Sequence, residues 1–120
     1  MTKERMDSLN SPLNLNQLQI ILSEFENKYW DAPKDEVGKT RHINLHLSKL
    51  MGKIGEVTER REHSLDRDTT ILKEEVIPDL LYFALSLAEI HDVNLQEAFF
   101  ERLEQNKIRV KAWKEQEQDQ

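Results

Sequence analysis

Apolar residues recur every three or four positions along most of this chain, which is the spacing of one helical face. Four such stripes are separated by polar segments that contain Pro, Gly or Asn. The first three consist of Leu18, Ile21, Leu22, Phe25 and Tyr29; of Ile43, Leu47, Leu50, Ile54 and Val57; and of the run from Leu80 to Ala88. The fourth consists of Leu95, Phe99, Leu103, Asn106, Val110 and Trp113. The pattern predicts an all-α fold with four helices in a bundle.

Capping signals mark where two of these helices begin. Asn14 and Gln17 have the spacing of a capping box, in which two side chains satisfy free backbone N–H groups. Asn94 and Glu97 repeat that spacing before the fourth stripe. We expect three segments along the chain: a flexible arm over residues 1–13, a helical domain over residues 14–114 and a polar tail over residues 115–120.

Glycine and proline residues, which interrupt helices, set the expected limits of the two middle helices. We expect a loop that carries Gly38 and ends near Thr40, followed by a helix over residues 41–62. The next helix is expected over residues 70–91, with Pro78 inside it. Because proline lacks the N–H and clashes with the carbonyl four residues back, it predicts either a kink or a new helix start. The apolar run after Pro78 should be the most buried element and also part of a subunit interface.

Composition and charge narrow the classes of function. The 120 residues carry a formal net charge of -6 and no cysteine. Such an acidic chain lacks the basic face that nucleic-acid binding requires. Without cysteine it forms neither disulfides nor thiolate metal sites, which fits a cytoplasmic protein. The longest apolar run is too short to span a bilayer, so we expect no membrane insertion.

Acidic side chains at helical spacing form a candidate metal site. Glu56 and Glu59 lie three apart on the second helix, and Glu75 and Asp79 lie four apart on the third. If the two helices pack antiparallel, the pairs can face each other and offer oxygen ligands to Mg²⁺ or Mn²⁺. The alternative is that these acids, drawn from 23 in the chain, lie on solvated faces and bind nothing.

Two further groups of residues have both a structural and a functional interpretation. His42 and His46, at i and i+4, have the spacing of a zinc pair, but the sequence offers no third ligand, which favours a structural role. Asn106, with Arg102 and Arg109 on adjacent turns, suits a phosphate group. It suits equally well an interhelical polar contact flanked by solvent-facing arginines.

Together these motifs resemble the MazG-type nucleotide pyrophosphohydrolases of the all-α nucleoside triphosphate pyrophosphatase superfamily. The resemblance covers residues 18–110. It rests on a Trp before the second helix and on the patterns L-x-K-L-x-x-x-x-G-E-x-x-E, D-L-L-x-x-A-L-x-L-A, N-L-x-E-A-F and N-x-x-R. It implies a four-helix fold that assembles into a homo-oligomer, either a dimer or a tetramer. It also implies Mg²⁺-dependent hydrolysis of a nucleoside triphosphate to the monophosphate and pyrophosphate.

The resemblance also assigns roles to individual positions. Its first metal-binding acid pair falls on Lys53 and Glu56. The second falls on Val76 and Asp79, so two of the four metal ligands match. Glu56 and Asp79 are therefore the expected catalytic residues. The expected substrate-binding residues are Trp30, Lys53, Arg102, Asn106 and Arg109.

The resemblance favours a pyrophosphohydrolase, and Lys53 and Val76 raise an inactive module as the alternative. A lysine among these acids can balance their charge as an ion pair and compete with a metal ion. Alternatively, Glu59 and Glu75 act as replacement ligands, the latter if Pro78 rotates the helix. The first case predicts an inactive nucleotide-binding or protein-interaction module, and the second an active pyrophosphohydrolase. A helical oligomer without any ligand is the third possibility.

Overall fold

The computed structural model describes residues 13–31 and 35–118. Within these ranges the chain is helical and contains no strand, so the predicted all-α class is confirmed. Helix α1 spans Leu15–Tyr29, α2 spans Glu36–Glu62, a π-helical segment spans Leu72–Val76, α3 spans Ile77–Ile90 and α4 spans Leu95–Gln118. The expected arm lies outside the described residues except at Leu13, and so do the last two residues of the expected tail.

Local capping explains where α1 and α4 begin. The Asn14 side chain accepts a hydrogen bond from the Gln17 backbone N–H at 2.8 Å, and the Gln17 side chain accepts one from Asn14 N–H at 2.8 Å. This reciprocal pair is the predicted capping box. At α4 the Asn94 side chain accepts from the Glu97 N–H at 3.1 Å. The helix then continues to Gln118, through residues that we expected to form a polar tail.

Helix α2 begins five residues earlier than predicted. Asp35 is its N-cap, and the Asp35 carboxylate accepts a hydrogen bond from the Gly38 N–H. The expected loop up to Thr40 is therefore wrong, because Gly38 lies in the first turn of the helix. An aspartate that satisfies a free N–H stabilises a helix start, and this cap outweighs the low helix propensity of one glycine.

Helix α3 packs between α1 and α2 and runs antiparallel to both. Along α2, Thr40 meets His91 and Lys53 meets Glu75, so the contacts run in opposite order on the two helices. The same reversal holds for α1, where Gln19 bonds to Glu89 and Glu26 to Ser86. Apolar side chains from these three helices and the π segment form the core: Leu22, Ile43, Leu50, Val57, Val76, Leu85 and Ala88.

A buried glutamine ties α1 to the turn between α3 and α4. The Gln19 Nε2 donates to the Glu89 carboxylate at 3.0 Å and to the Val93 carbonyl at 3.1 Å. Its Oε1 accepts from the Leu95 N–H at 3.0 Å. One side chain thus satisfies groups at the end of α3 and at the start of α4, which fixes where α4 leaves the other three helices.

Helix α4 projects from the rest of the chain. It contains no buried residue, and the residues from 101 to 118 are all exposed. The radius of gyration is 18.6 Å, against about 13 Å for a compact domain of 100 residues. The apolar stripe predicted on the fourth helix is therefore uncovered in the described part of one chain. In the same ranges, no helix is both long and apolar enough to cross a membrane.

Candidate functional site

An ion pair lies between α2 and α3, where the resemblance implies a metal site. The Lys53 Nζ donates to the Glu75 Oε1, from α2 to the π segment. The two side chains are 35% and 44% exposed, so the pair is open to solvent. We call the region around Lys53, Glu75, Asp79 and His46 the α2–α3 cleft. An ion pair this open contributes about 0.2–1 kcal/mol, but it sets a fixed positive charge against the Glu75 carboxylate.

The acids of α2 are not gathered into this cleft. Glu56 is exposed, and its Oε1 accepts a hydrogen bond from Arg60 Nη2 at 2.8 Å, one turn along the same helix. Glu59 is exposed as well. Within the described ranges, no three histidine or acidic side chains come together in a way that could hold a metal ion. As placed, the four predicted acids do not fit Mg²⁺, which needs several oxygen ligands around one centre.

Pro78 accounts for the irregular backbone at the start of α3. In a continuous α-helix its ring would clash with the Glu74 carbonyl, four residues back. The backbone instead widens into a π turn, in which the Ile77 N–H bonds to the Leu72 carbonyl, five residues back. Pro78 then lies in the first turn of α3, where a missing N–H costs nothing. The backbone nevertheless stays helical from Thr70 through Pro78, with no side-chain cap before α3, so the predicted new helix start is not observed and the helix continues through a π turn.

The π turn decides which side chain reaches α2. It contains one residue more than an α-helical turn, so it shifts the helical phase of the residues before Pro78. Val76, which the resemblance aligns with a metal ligand, is buried and only 1% exposed. Glu75 reaches Lys53 instead. The acid missing at position 76 is therefore supplied to the cleft by its neighbour.

Asp79 lies half-buried in the first turn of α3, close to two titratable side chains. Burial lowers the pKa of His46, His42 and Lys49 lower it further, and the Asp79 carboxylate opposes them. Burial also raises the pKa of Tyr82 to about 12, with contributions from Glu26 and then Asp79. Asp79 thus supplies negative charge at the inner end of the α2–α3 cleft.

His42 and His46 are in direct contact. Their Nε2 atoms are 3.0 Å apart, and their rings are edge to face at 4.5 Å. Phe83 of α3 stacks on His46, with ring centres 5.1 Å apart. Trp30, the residue expected near a nucleotide base, lies 5.3 Å from the His42 ring. The two histidines are therefore held between an aromatic ring from the end of α1 and another from α3.

The predicted phosphate-binding residues of α4 lie apart from this cleft. Arg102 donates to the Gln105 side chain at 3.0 Å, and Asn106 and Arg109 are exposed. Helix α4 packs mainly against α1, so one protomer does not bring these three side chains to Lys53 and Glu75.

The sequence analysis missed a polar cluster between α1 and α3. Ser86 is 1% exposed, and its hydroxyl donates to Glu26 Oε1 at 2.7 Å. The Glu26 carboxylate also contributes to the raised pKa of Tyr82. The signal was a single serine within an apolar run, together with Glu26 four residues after the buried Leu22. The Ser86 hydroxyl donor helps the Glu26 carboxylate to remain half-buried next to the core.

Comparison of the chain with protein-family models, with curated proteins and with solved structures gave no match. The resemblance to MazG-type pyrophosphohydrolases therefore rests on the residues and spacings quoted above.

Proposed function

We propose that this protein is a MazG-like nucleotide-binding module that does not hydrolyse its nucleotide. The observation that carries the proposal is the ion pair between Lys53 and Glu75, at the position where the resemblance implies a metal-binding acid pair. Phosphoanhydride hydrolysis needs cations that neutralise charge on the transferring group. A lysine tied to Glu75 supplies one fixed charge, but it does not activate a water molecule as a bound metal does.

We assign phosphate binding to three basic side chains, Lys53, Arg102 and Arg109. Lys53 lies in the α2–α3 cleft, and Arg102 and Arg109 flank Asn106 on α4. Arginine offers paired donors that match phosphate oxygens. Because α4 projects away from the cleft of its own chain, we assign these side chains to the cleft of a second copy. Trp30, half-buried beside His42, is the proposed contact to the base.

Self-association follows from the apolar surface that a single chain exposes. On α4 the exposed apolar residues are Phe99, Phe100, Leu103, Ile108, Val110 and Trp113. A second apolar surface, between α1 and α3, is lined by Leu18, Ile21, Phe25, Pro78, Leu81 and Tyr82. Large apolar side chains exposed in this number on one helix are typical of a surface that is covered by a partner. We therefore assign the protein to a homo-oligomer, a dimer or a tetramer.

Light scattering after size-exclusion chromatography tests this assembly. The natural chain should elute as a dimer or tetramer, and Phe100→Asp or Trp113→Asp should shift it toward the monomer. Leu65→Asp is the matched control, because Leu65 is equally apolar and exposed but lies in the loop after α2. A monomeric natural protein at micromolar concentration would contradict the oligomer and the shared site.

Nucleotide binding and hydrolysis are separated by two assays on the same protein. We expect nucleoside triphosphates to raise the melting temperature, while a pyrophosphate-release assay with Mg²⁺ or Mn²⁺ stays at background. The informative variant is Lys53→Glu, which should create Mg²⁺ binding because the new carboxylate would lie beside Glu75. Lys49→Glu, one turn away and exposed, is the control. Val76→Glu is unsuitable, since it would bury a charge.

An active Mg²⁺- or Mn²⁺-dependent pyrophosphohydrolase is the second candidate function. One observation favours it. The π turn places Glu75 in the α2–α3 cleft, where the Glu75 carboxylate bonds to Lys53. Since the Lys53–Glu75 pair is open to solvent, its rupture costs at most about 1 kcal/mol. Pyrophosphate release by the natural protein that is lost in Glu56→Gln or Asp79→Asn would establish this function and reject the non-hydrolytic module.

A further inference from the structure

The chain places two imidazole nitrogens where a single metal ion can bind both. His42 Nε2 and His46 Nε2 lie 3.0 Å apart. With metal–nitrogen bonds of about 2.0–2.1 Å, two ligands at right angles are about 2.9 Å apart, and two tetrahedral ligands about 3.3 Å. The observed separation is that of the hydrogen bond between the two rings, and a small rotation of each ring would bring both nitrogens to right-angle coordination of one ion. That geometry is preferred by Cu²⁺ and Ni²⁺, whereas Zn²⁺ prefers the tetrahedral one.

The surroundings of the two rings favour a ligand over a solvated pair. Phe83 stacks on His46 and Trp30 packs beside His42, so both imidazoles are already held in position. Both side chains are half-buried. Two charges of opposite sign act near His46, the Asp79 carboxylate and the Lys49 ammonium, so the case for a ligand rests on the placement of the rings.

We propose that His42 and His46 bind one divalent late-transition-metal ion, Cu²⁺ or Ni²⁺, through their Nε2 atoms, with water completing the coordination. The ion replaces the hydrogen bond between the two rings. Two imidazoles and water suit these ions, and copper binds most tightly in the general order of divalent-metal affinity. The proposal uses none of the acids expected to bind Mg²⁺ and stands whether or not the protein binds a nucleotide.

Calorimetric titration of the untagged full-length protein with NiCl₂ and CuCl₂ at neutral pH tests the site. We expect one ion per chain. His42→Ala and His46→Ala should each weaken binding by more than the roughly tenfold loss that outer-shell changes cause. His63→Ala is the matched control, because His63 caps the end of the same helix and is exposed. Its affinity should equal that of the natural protein.

Electron paramagnetic resonance of the natural protein with one equivalent of Cu²⁺ gives a readout that needs no variant. Hyperfine structure from two imidazole nitrogens is expected, so the test holds even if His46→Ala destabilises the fold. The proposal is overturned if the natural protein binds neither ion at millimolar concentration. It is also overturned if the His42 and His46 variants bind as tightly as the natural protein.

Discussion

Lys53 and Glu75, on different helical elements, form an ion pair that joins α2 to the π segment. Because both side chains are more than one-third exposed, the pair should contribute little to folding. A double-mutant cycle with Lys53→Met and Glu75→Gln should give a coupling of about 0.2–1 kcal/mol, measured by urea unfolding, and it should decrease in salt. A coupling above that range would mean that the pair is more shielded from water than the structure shows.

Val76 and Ile77 are adjacent residues, but truncation of Val76 should destabilise the fold much more than truncation of Ile77. Val76 is 1% exposed and Ile77 is 60% exposed. Val76→Ala removes buried methyl groups and should lower the free energy of unfolding by about 1.5–3 kcal/mol. Ile77→Ala should change it by less than about 0.5 kcal/mol. Equal losses in the two variants would contradict the helical phase that the π turn imposes.

Ser86 should matter more than its size suggests. Ser86→Ala removes a hydroxyl that donates to the Glu26 carboxylate at 2.7 Å, so a half-buried acid loses that donor. We expect a loss of about 1–3 kcal/mol in urea unfolding. Ser48→Ala is the control, since Ser48 is exposed and bonds only to the Asn44 carbonyl of its own helix. That variant should unfold like the natural protein.

Tyr82 should make the fold sensitive to alkaline pH. Its folded-state pKa is about 12, raised from 10.0 mainly by burial. A raised pKa means that the unfolded chain loses the phenol proton first. The contribution of Tyr82 is therefore intact below pH 10 and is lost as the pH rises toward 12. Urea unfolding of the natural protein and Tyr82→Phe should show the advantage of tyrosine declining over that interval.

Tyr29→Phe provides the comparison for this pH dependence. Tyr29 is 64% exposed, so it is the matched surface tyrosine for the half-buried Tyr82. The stability difference between this variant and the natural protein should stay constant from pH 9 to 12. A constant difference for Tyr82→Phe as well would contradict the burial of the Tyr82 hydroxyl.

Local signals in the sequence were sufficient for the class of the fold and for two helix starts. Asn14 with Gln17 and Asn94 before α4 cap their helices through contacts three residues apart, which spacing alone can reveal. The start of α2 was missed because Gly38 was interpreted as a breaker, whereas Asp35 caps the helix three residues before it. When a strong cap such as Asp35 lies close to a weak helix former such as Gly38, composition alone does not predict whether the helix forms there.

The candidate site was harder to predict because it depends on the helical phase at the π turn and on packing between helices. Periodicity arguments assume a constant helical repeat, so they could not show that a π turn brings Glu75 to Lys53 and buries Val76. Nor does an apolar stripe specify its partner, which is why the exposure of Trp113 was not anticipated. The contact between His42 and His46 followed the predicted spacing, but the rings that hold it come from Trp30 and Phe83, distant in sequence.

The π turn and Pro78 have a consequence for how this chain can change over evolutionary time. Deleting one residue between 72 and 76 would restore a regular helix, and the proline ring would then meet a carbonyl at a cost of about 3 kcal/mol or more. If the proline alone were replaced, the π turn would remain although no proline ring would clash with a carbonyl. The extra residue and the proline should therefore be gained or lost together in related sequences, and a one-residue gap in an alignment here would coincide with the absence of proline.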